Sequence, residues 1–466
     1  MTPEVTQSGK SEQAGSFVRV LSSGEVLLLT ISALSPVLSV FIGGNAMLHM
    51  AGTGAAIGFI GGGVLAAIMA LLFAELSSSY PGAGGVYPAL NAILGPRWTF
   101  PFVILRTVIV FPLLAFFAAG TGPYIRLFWP WVPQEAAALV TLALAAMIAA
   151  TQIKRGAKFI AVFLGIELLA LSVLTVASLV HLNPANLPRV LHPVMAISGT
   201  TLAATPATSL ALSIIAGVSM SAGADWATFF AEDMRDAKRR IGPVLAWTGL
   251  IAALSISGPA VLMILAMDDV AATLTAEAPM AHFLARATSP FISALVSIGV
   301  IAAIFNAVIA VTMALSRQLH AIGRDGIFPA VVNRILCIVN PRTRAPTGAI
   351  LILLVVGGLC TFLGERRLVL LTSGNFSEYL LLGIAVIAGR QAGKLGEHFR
   401  IHLHPFVPVL ALALCFSIIA ANWADADTAR VSMAILLAVF VAAFLWHEQR
   451  IRSGRGPVLL SGSDLE

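Results

Sequence analysis

The sequence predicts an all-α membrane protein of about twelve transmembrane helices. Three observations carry this. First, 58% of the 466 residues are hydrophobic and only 11% are charged, with a mean hydropathy of +0.93. Soluble domains are roughly a quarter charged. Second, uncharged runs reach membrane length: residues 244–267 hold no charge, and a bilayer core needs about 20 helical residues. Third, the basic residues sort by side. With the N-terminus inside, the inner segments carry 21 of the 28 Lys and Arg and the outer ones 6, with Arg106 inside a helix. That bias places both termini in the cytoplasm. Alternating barrel strands are not visible, so helices are the expected spanning elements.

The expected helices run over 26–48, 54–78, 100–120, 135–152, 158–180, 207–231, 243–267, 290–316, 347–363, 368–389, 405–421 and 429–447. The first segment reads "LLLTISALSPVLSVFIGGNAML" over 27–48, with Ser35-Pro36 near its middle and Gly43-Gly44-Asn45 soon after. The sixth carries Gly217, Ser219, Ser221 and Gly223 at a matching depth, five helices later. Irregular backbone at membrane depth is tolerated only inside protein or against a watery cavity. Interrupted segments at corresponding places in two halves point to a transporter built from inverted repeats, with its site at the midplane. Small residues that merely let helices pack closely are the plainer explanation.

The expected organisation is a disordered tail over 1–20, a first repeat of five helices over 21–181 and a second over 206–389. Two further helices fill 390–449 and a cytoplasmic tail fills 450–466. Residues 1–20 lack the apolar core of a signal peptide. Cys337, Cys360 and Cys415 show no metal-type or paired spacing and read as small buried hydrophobes.

Three stretches resemble amino acid–polyamine–organocation (APC) superfamily permeases. "AELSSSYPGAGGVY" (74–87) resembles the end of their second helix and the loop after it, through Glu75, Pro81, Gly84, Gly85 and Tyr87. "SAGADWATFFAEDMRDAKRRIGPV" (221–244) resembles their sixth helix, with Gly223, Asp225, Glu232 and Asp233 in place. "SRQLHAIGRDGIFP" (316–329), followed by "RAPTGAI" (344–350), resembles the loop after their eighth. The resemblance implies a LeuT-type fold and secondary transport of amino acids or amines, often proton-coupled. One departure stands out. Members that bind amino acids often carry Gly-Ser-Gly in the first break, where amides hold the substrate carboxylate. Here the aligned residues are Val37-Leu38-Ser39, and Pro36 lacks an N–H.

The two breaks nominate Ser35, Ser39, Phe41, Ser219, Ser221 and Gly223 as solute-lining residues. Asp225 is expected to pair with a substrate amine or to cap the half-helix after the break. Glu167, alone in an apolar fifth helix, is the expected proton-coupling site, with packing glue as the alternative. Arg106 is expected to snorkel or to pair with Glu75. Glu232 and Asp233 read as topology signal and gate ion pairs. Glu378 and Asn306 have no assigned role, although helix-to-helix glue suits Asn306.

No metal ligands, phosphate loop or nucleophile–base pair is found, so neither an enzyme nor a cofactor is expected. A proton is the expected coupling ion and sodium the alternative. The expected partners are a small-molecule substrate and the lipid bilayer, without nucleic acid. A multi-pass membrane enzyme and a transport-dead nutrient sensor are the competing classes.

Overall fold

The computed structural model describes residues 19–454, apart from 83, 199–200, 373–375, 397 and 425–428. Most of the expected disordered tail and the last part of the C-terminal one lie outside these residues. Among the described residues, seven helical stretches are long and apolar enough to cross a membrane, and three shorter apolar helices accompany them. The expected helices recur within a few residues, for example as Ala55–Ser79, Pro96–Ala119, Ile153–Val180 and Ala237–Ala266. The eighth runs further than expected, over Pro290–Arg324, and the last over Ala429–Arg452. The tenth is described as Glu365–Thr372 and Phe376–Gln391, on either side of 373–375.

The first segment breaks where Ser35-Pro36 stands. Helix Ser23–Leu34 opens with a capping box, Ser22 and Glu25 exchanging hydrogen bonds, and ends at Ser35 in the left-handed region (φ 46°). Helical geometry resumes at Pro36, widens into a π-turn over Ser39–Gly43 and continues as Gly44–Ala51. Proline suits the first position of the new half-helix because the N–H it lacks has no helical partner there.

The sixth segment breaks later than expected. Helix Ala207–Ser221 is regular through Gly217 and Ser219, and the chain turns at Ala222-Gly223. It resumes as a 3₁₀ helix over Ala224–Asp233. Gly217 serves packing instead. A Cβ there would lie 2.1 Å from the Gly58 carbonyl oxygen, and one on Gly62 would lie 2.2 Å from the Gly217 carbonyl carbon. These glycines let two helices touch backbone to backbone. At the true break, Gly223 has φ 133°, a conformation open to glycine and strained for other residues.

The two breaks lie side by side: Ser39 Oγ donates to the Met220 carbonyl oxygen at 2.8 Å. At the opposite end from Glu232 and Asp233, a hairpin of Val194–Ser198 and Thr201–Ala204 covers the turn at Gly52. The sequence showed no sign of it, since two short strands carry little pattern. Of the cysteines, Cys415 is buried as expected, but Cys337 is exposed at a helix end.

Gly223→Ala is expected to lower the melting temperature, because the new Cβ meets Trp226 Nε1 at 2.8 Å in a backbone that costs about 1–3 kcal/mol without glycine. Gly165→Ala, where a Cβ meets nothing within 4 Å, is the control and is expected to melt like the parent. Equal melting of both variants in detergent would contradict the strain assigned to Gly223.

Candidate functional site

The first break is held by a carboxyl from the fifth segment. Glu167 lies on helix Ile153–Val180 and is wholly buried. Its Oε1 accepts from Ser35 Oγ at 2.8 Å and from the Val37 N–H at 3.1 Å. Ser35 Oγ in turn accepts from the Leu38 N–H at 3.3 Å, capping the second half-helix. Glu167 Oε2 has no hydrogen-bond partner. The Asn306 amide adjoins this carboxyl, yet neither its oxygen nor its nitrogen completes a hydrogen bond. Asn306 thus faces a carboxyl of a neighbouring helix, as expected of a residue that joins helices.

Other nominated residues are placed less uniformly. Ser39 and Phe41 are buried at the break, and the Phe41 carbonyl accepts from Tyr124 OH. Ser221 is buried with an unpartnered hydroxyl. Ser219 is not brought into this cluster. It is exposed and bonds Ile215 O within its own helix.

Asp225 neither caps its half-helix nor stands free for an amine. No side chain caps the helix at Ala224–Asp233. Asp225 Oδ2 instead accepts from Arg106 at 2.6 Å, while the other guanidinium nitrogen of Arg106 bonds Glu378. All three side chains are buried. Arg106 is thus a link between three helices rather than a snorkelling residue, and Glu75 is not its partner. Glu75 pairs with Arg390 through both oxygens and also accepts the Ile401 N–H at 3.0 Å. Two acids and one base, all desolvated, formed a pattern visible in the sequence as three isolated intramembrane charges. The pairing came only with the fold.

Beneath Asp225 lies a cavity lined by Arg106, Glu378, Thr228, Phe229, Tyr87 and Gln318, among others. It holds about 10 Å³, room for about one water molecule. Ion pairs join the elements at the basic end of the helices. Glu232 grips Arg324 through both oxygens, and Asp233 accepts from Arg317 Nε at 2.6 Å. The backbone joins in: Leu21 N–H donates to Asp233 O, and Arg235 N–H donates to Leu21 O, both at 2.9 Å. Tyr87 OH donates to Asp325 Oδ2 at 2.5 Å. The sequence nominated Glu232 and Asp233 for ion pairs but missed the bond of Tyr87 with Asp325, whose partnership spans 238 residues.

The sequence profile of the amino acid permease family matches residues 21–445. The chain belongs to that family. It is 24% identical over 439 residues to the methylthioribose transporter of Bacillus subtilis, covering 89% of this chain and 90% of that one. Two crystal structures of the Eremococcus coleocola manganese transporter share its fold, one of a mutant and one in complex with an aromatic bis-isothiourea substituted compound. Each superposes with a TM-score of 0.55 at 13% identity, covering 95% of this chain and 99% of the other. The permease is a multi-pass membrane transporter, not an enzyme, and acts on a small molecule. The LeuT-type architecture implied by the three motifs agrees with these neighbours.

Two outcomes test the site. Arg106→Leu leaves Asp225 and Glu378 facing each other without their cation, which costs on the order of 3–5 kcal/mol. The variant is expected to lose folded yield, and the triple replacement with Asp225→Asn and Glu378→Gln is expected to recover most of it, read by size-exclusion profile. Asp325 lies past the end of its helix, and burial raises its carboxyl to about 6 despite Tyr87 and Arg324. The fold therefore favours the neutral form. Its contribution to stability is complete below about pH 4 and is lost as pH rises through 6. Asp325→Asn is expected to melt at least as high as the parent at pH 7.5 and to flatten the melting profile between pH 4 and 6.

Proposed function

We propose that this permease is a proton-coupled secondary transporter that brings a small organic solute into the cell. In this reading it sits in the cytoplasmic membrane with the basic end of the helices and both termini inside. An amino acid or amine is the solute class that the family suggests, and methylthioribose is the one that the Bacillus relative suggests.

One observation carries the proton reading: a wholly buried carboxyl, Glu167, holds the first break through one oxygen and leaves the other unpartnered. An ionised carboxylate at membrane depth is costly. Taking up a proton removes that charge and turns an acceptor oxygen into a donor. Loss of the charge weakens Oε1 as an acceptor from Ser35 and Val37, while Oε2 becomes the donor. Proton binding is thereby tied to the geometry of the break, and the break is where the two repeats meet.

Glu167→Gln keeps the shape and one acceptor oxygen but cannot carry the proton. In proteoliposomes the variant is expected to exchange radiolabelled solute across the membrane, yet to fail to accumulate it when a pH difference is imposed. Accumulation at the parent rate would reassign Glu167 to packing. Accumulation in the unmodified protein that follows a sodium gradient instead would favour the sodium-coupled alternative. Strict one-for-one counterflow without any gradient dependence would favour an exchanger.

A further inference from the structure

An excess of Lys and Arg at one end of a membrane protein is ordinary. Here part of that basic end is hollow. A cavity of about 280 Å³ opens between Val20, residues 151–154 at the head of helix Ile153–Val180, and residues 342–345 before helix Thr347–Cys360. Its size approaches that of small-molecule pockets, which start at about 300 Å³. It shares no lining residue with the void beside Arg106.

Four cations line this cavity, Lys154, Arg317, Arg342 and Arg344, against one carboxylate, Asp233. Asp233 is already matched by Arg317 Nε at 2.6 Å, and that pair is buried. Glu25, the acid whose field reaches Lys154, accepts the Ser22 N–H and hydroxyl on one oxygen, both at 2.8 Å. Lys154, Arg342 and Arg344 form no ion pair among the described residues. Three like charges therefore line one hollow without a matching acid.

The scaffold fixes where they stand. The Arg342 and Thr343 N–H groups donate to Asn340 Oδ1 at 2.9 and 3.2 Å, and the Arg344 N–H donates to Asn340 O at 2.9 Å. This tight turn holds Arg344 in the left-handed region, φ 59°. Helix Ile153–Val180 starts without a side-chain cap, and its first bonds run from Arg155 and Gly156 back to Gln152. The Ile153 and Lys154 N–H groups precede that ladder and have no helical partner. They add the positive end of the helix dipole to the cations.

A carboxylate brings a single charge to such a set. A phosphate monoester brings about −1.5 to −2 at pH 7 and three acceptor oxygens. Those oxygens suit the planar forks of two arginines together with a lysine. We propose that this cavity binds a phosphate-bearing anion, which bridges Lys154 on the fifth helix to Arg342 and Arg344 before the ninth. The occupant lies beside the Asp233–Arg317 pair and next to Leu21, whose backbone pairs with Asp233 and Arg235. It fastens together elements that meet at the basic end. The proposal depends neither on the identity of the transported solute nor on proton coupling.

The test uses the full chain in phosphatidylcholine nanodiscs at about 0.1 M salt, where exposed charges are partly screened. Glycerol 3-phosphate is expected to bind in a calorimetric titration and to raise the melting temperature. Glycerate, with the same body and a carboxylate, is expected to bind at least about tenfold more weakly. Arg342→Gln with Arg344→Gln is expected to weaken glycerol 3-phosphate at least about tenfold. Lys154→Gln is expected to weaken it too, and decides alone if the double variant does not fold. Arg155→Gln with Lys158→Gln removes the same charge outside the cavity and is expected to bind like the parent. Nanodiscs with added phosphatidylglycerol distinguish the sources. Competition with glycerol 3-phosphate identifies a lipid headgroup as an occupant, and unchanged binding identifies a soluble phosphate; either result supports the site. Glycerol 3-phosphate binding no more tightly than glycerate overturns the proposal. Equal weakening by variants inside and outside the cavity overturns it as well, since that is the behaviour of a diffuse charged surface.

Discussion

No water reaches the backbone inside a bilayer, so a helix broken there must find partners for its freed groups within the protein. That constraint organises this permease around Glu167. The Ser35-Pro36 step ends one helix and begins another. The donors exposed at the new half-helix turn to a single carboxyl oxygen from the fifth segment. The break persists because Ser35 caps the half-helix that follows, while Glu167 satisfies Ser35 and Val37 together. A carboxyl is well suited to this because it accepts several hydrogen bonds at once. When ionised it also carries a charge that the membrane penalises.

The second break is held by different physics. No carboxyl fills it. Glycine's freedom at Gly223 permits the turn, and Trp226 packs where a Cβ would stand. Just beyond it, Asp225 fastens the 3₁₀ helix to Arg106 and, through that guanidinium, to Glu378. The ring of Phe229 lies beneath the guanidinium, 5.9 Å from its carbon to the ring centre. The first half of the chain thus supplies the cation and the second both acids. The two halves of the chain are joined by charge beside a void with room for about one water.

Further along, closure is distributed. Glu232 and Asp233 each meet an arginine of helix Pro290–Arg324, Leu21 pairs by backbone with the chain at Asp233–Arg235, and Tyr87 reaches Asp325. Exposed ion pairs contribute little, but Asp233 and Arg317 are both buried, and the backbone pairing of Leu21 adds directional bonds. Parting the elements at this end would break several of these contacts together.

The sequence by itself determined the membrane class, the approximate spans and the presence of two interruptions. Those follow from local properties: apolar length, the missing N–H of Pro36, and glycine's backbone freedom. Glu167 stood out because an isolated acid in an apolar run is conspicuous without any partner being known. The motifs around Glu75, Gly223 and the Arg324 loop were likewise short-range patterns. Only the tertiary structure decided what each charge faces. Asp225 looked like a cap or an amine ligand and is instead the partner of Arg106. Glu75 was the expected partner of Arg106 and belongs to Arg390. Gly217 looked like part of the break and is a contact surface against Gly58 and Gly62, which left the turn to Ala222-Gly223. These pairings join residues from 119 to 315 positions apart. A sequence shows that a buried charge needs a partner, but the choice among distant partners depends on how helices cross, and that is a property of the packed fold.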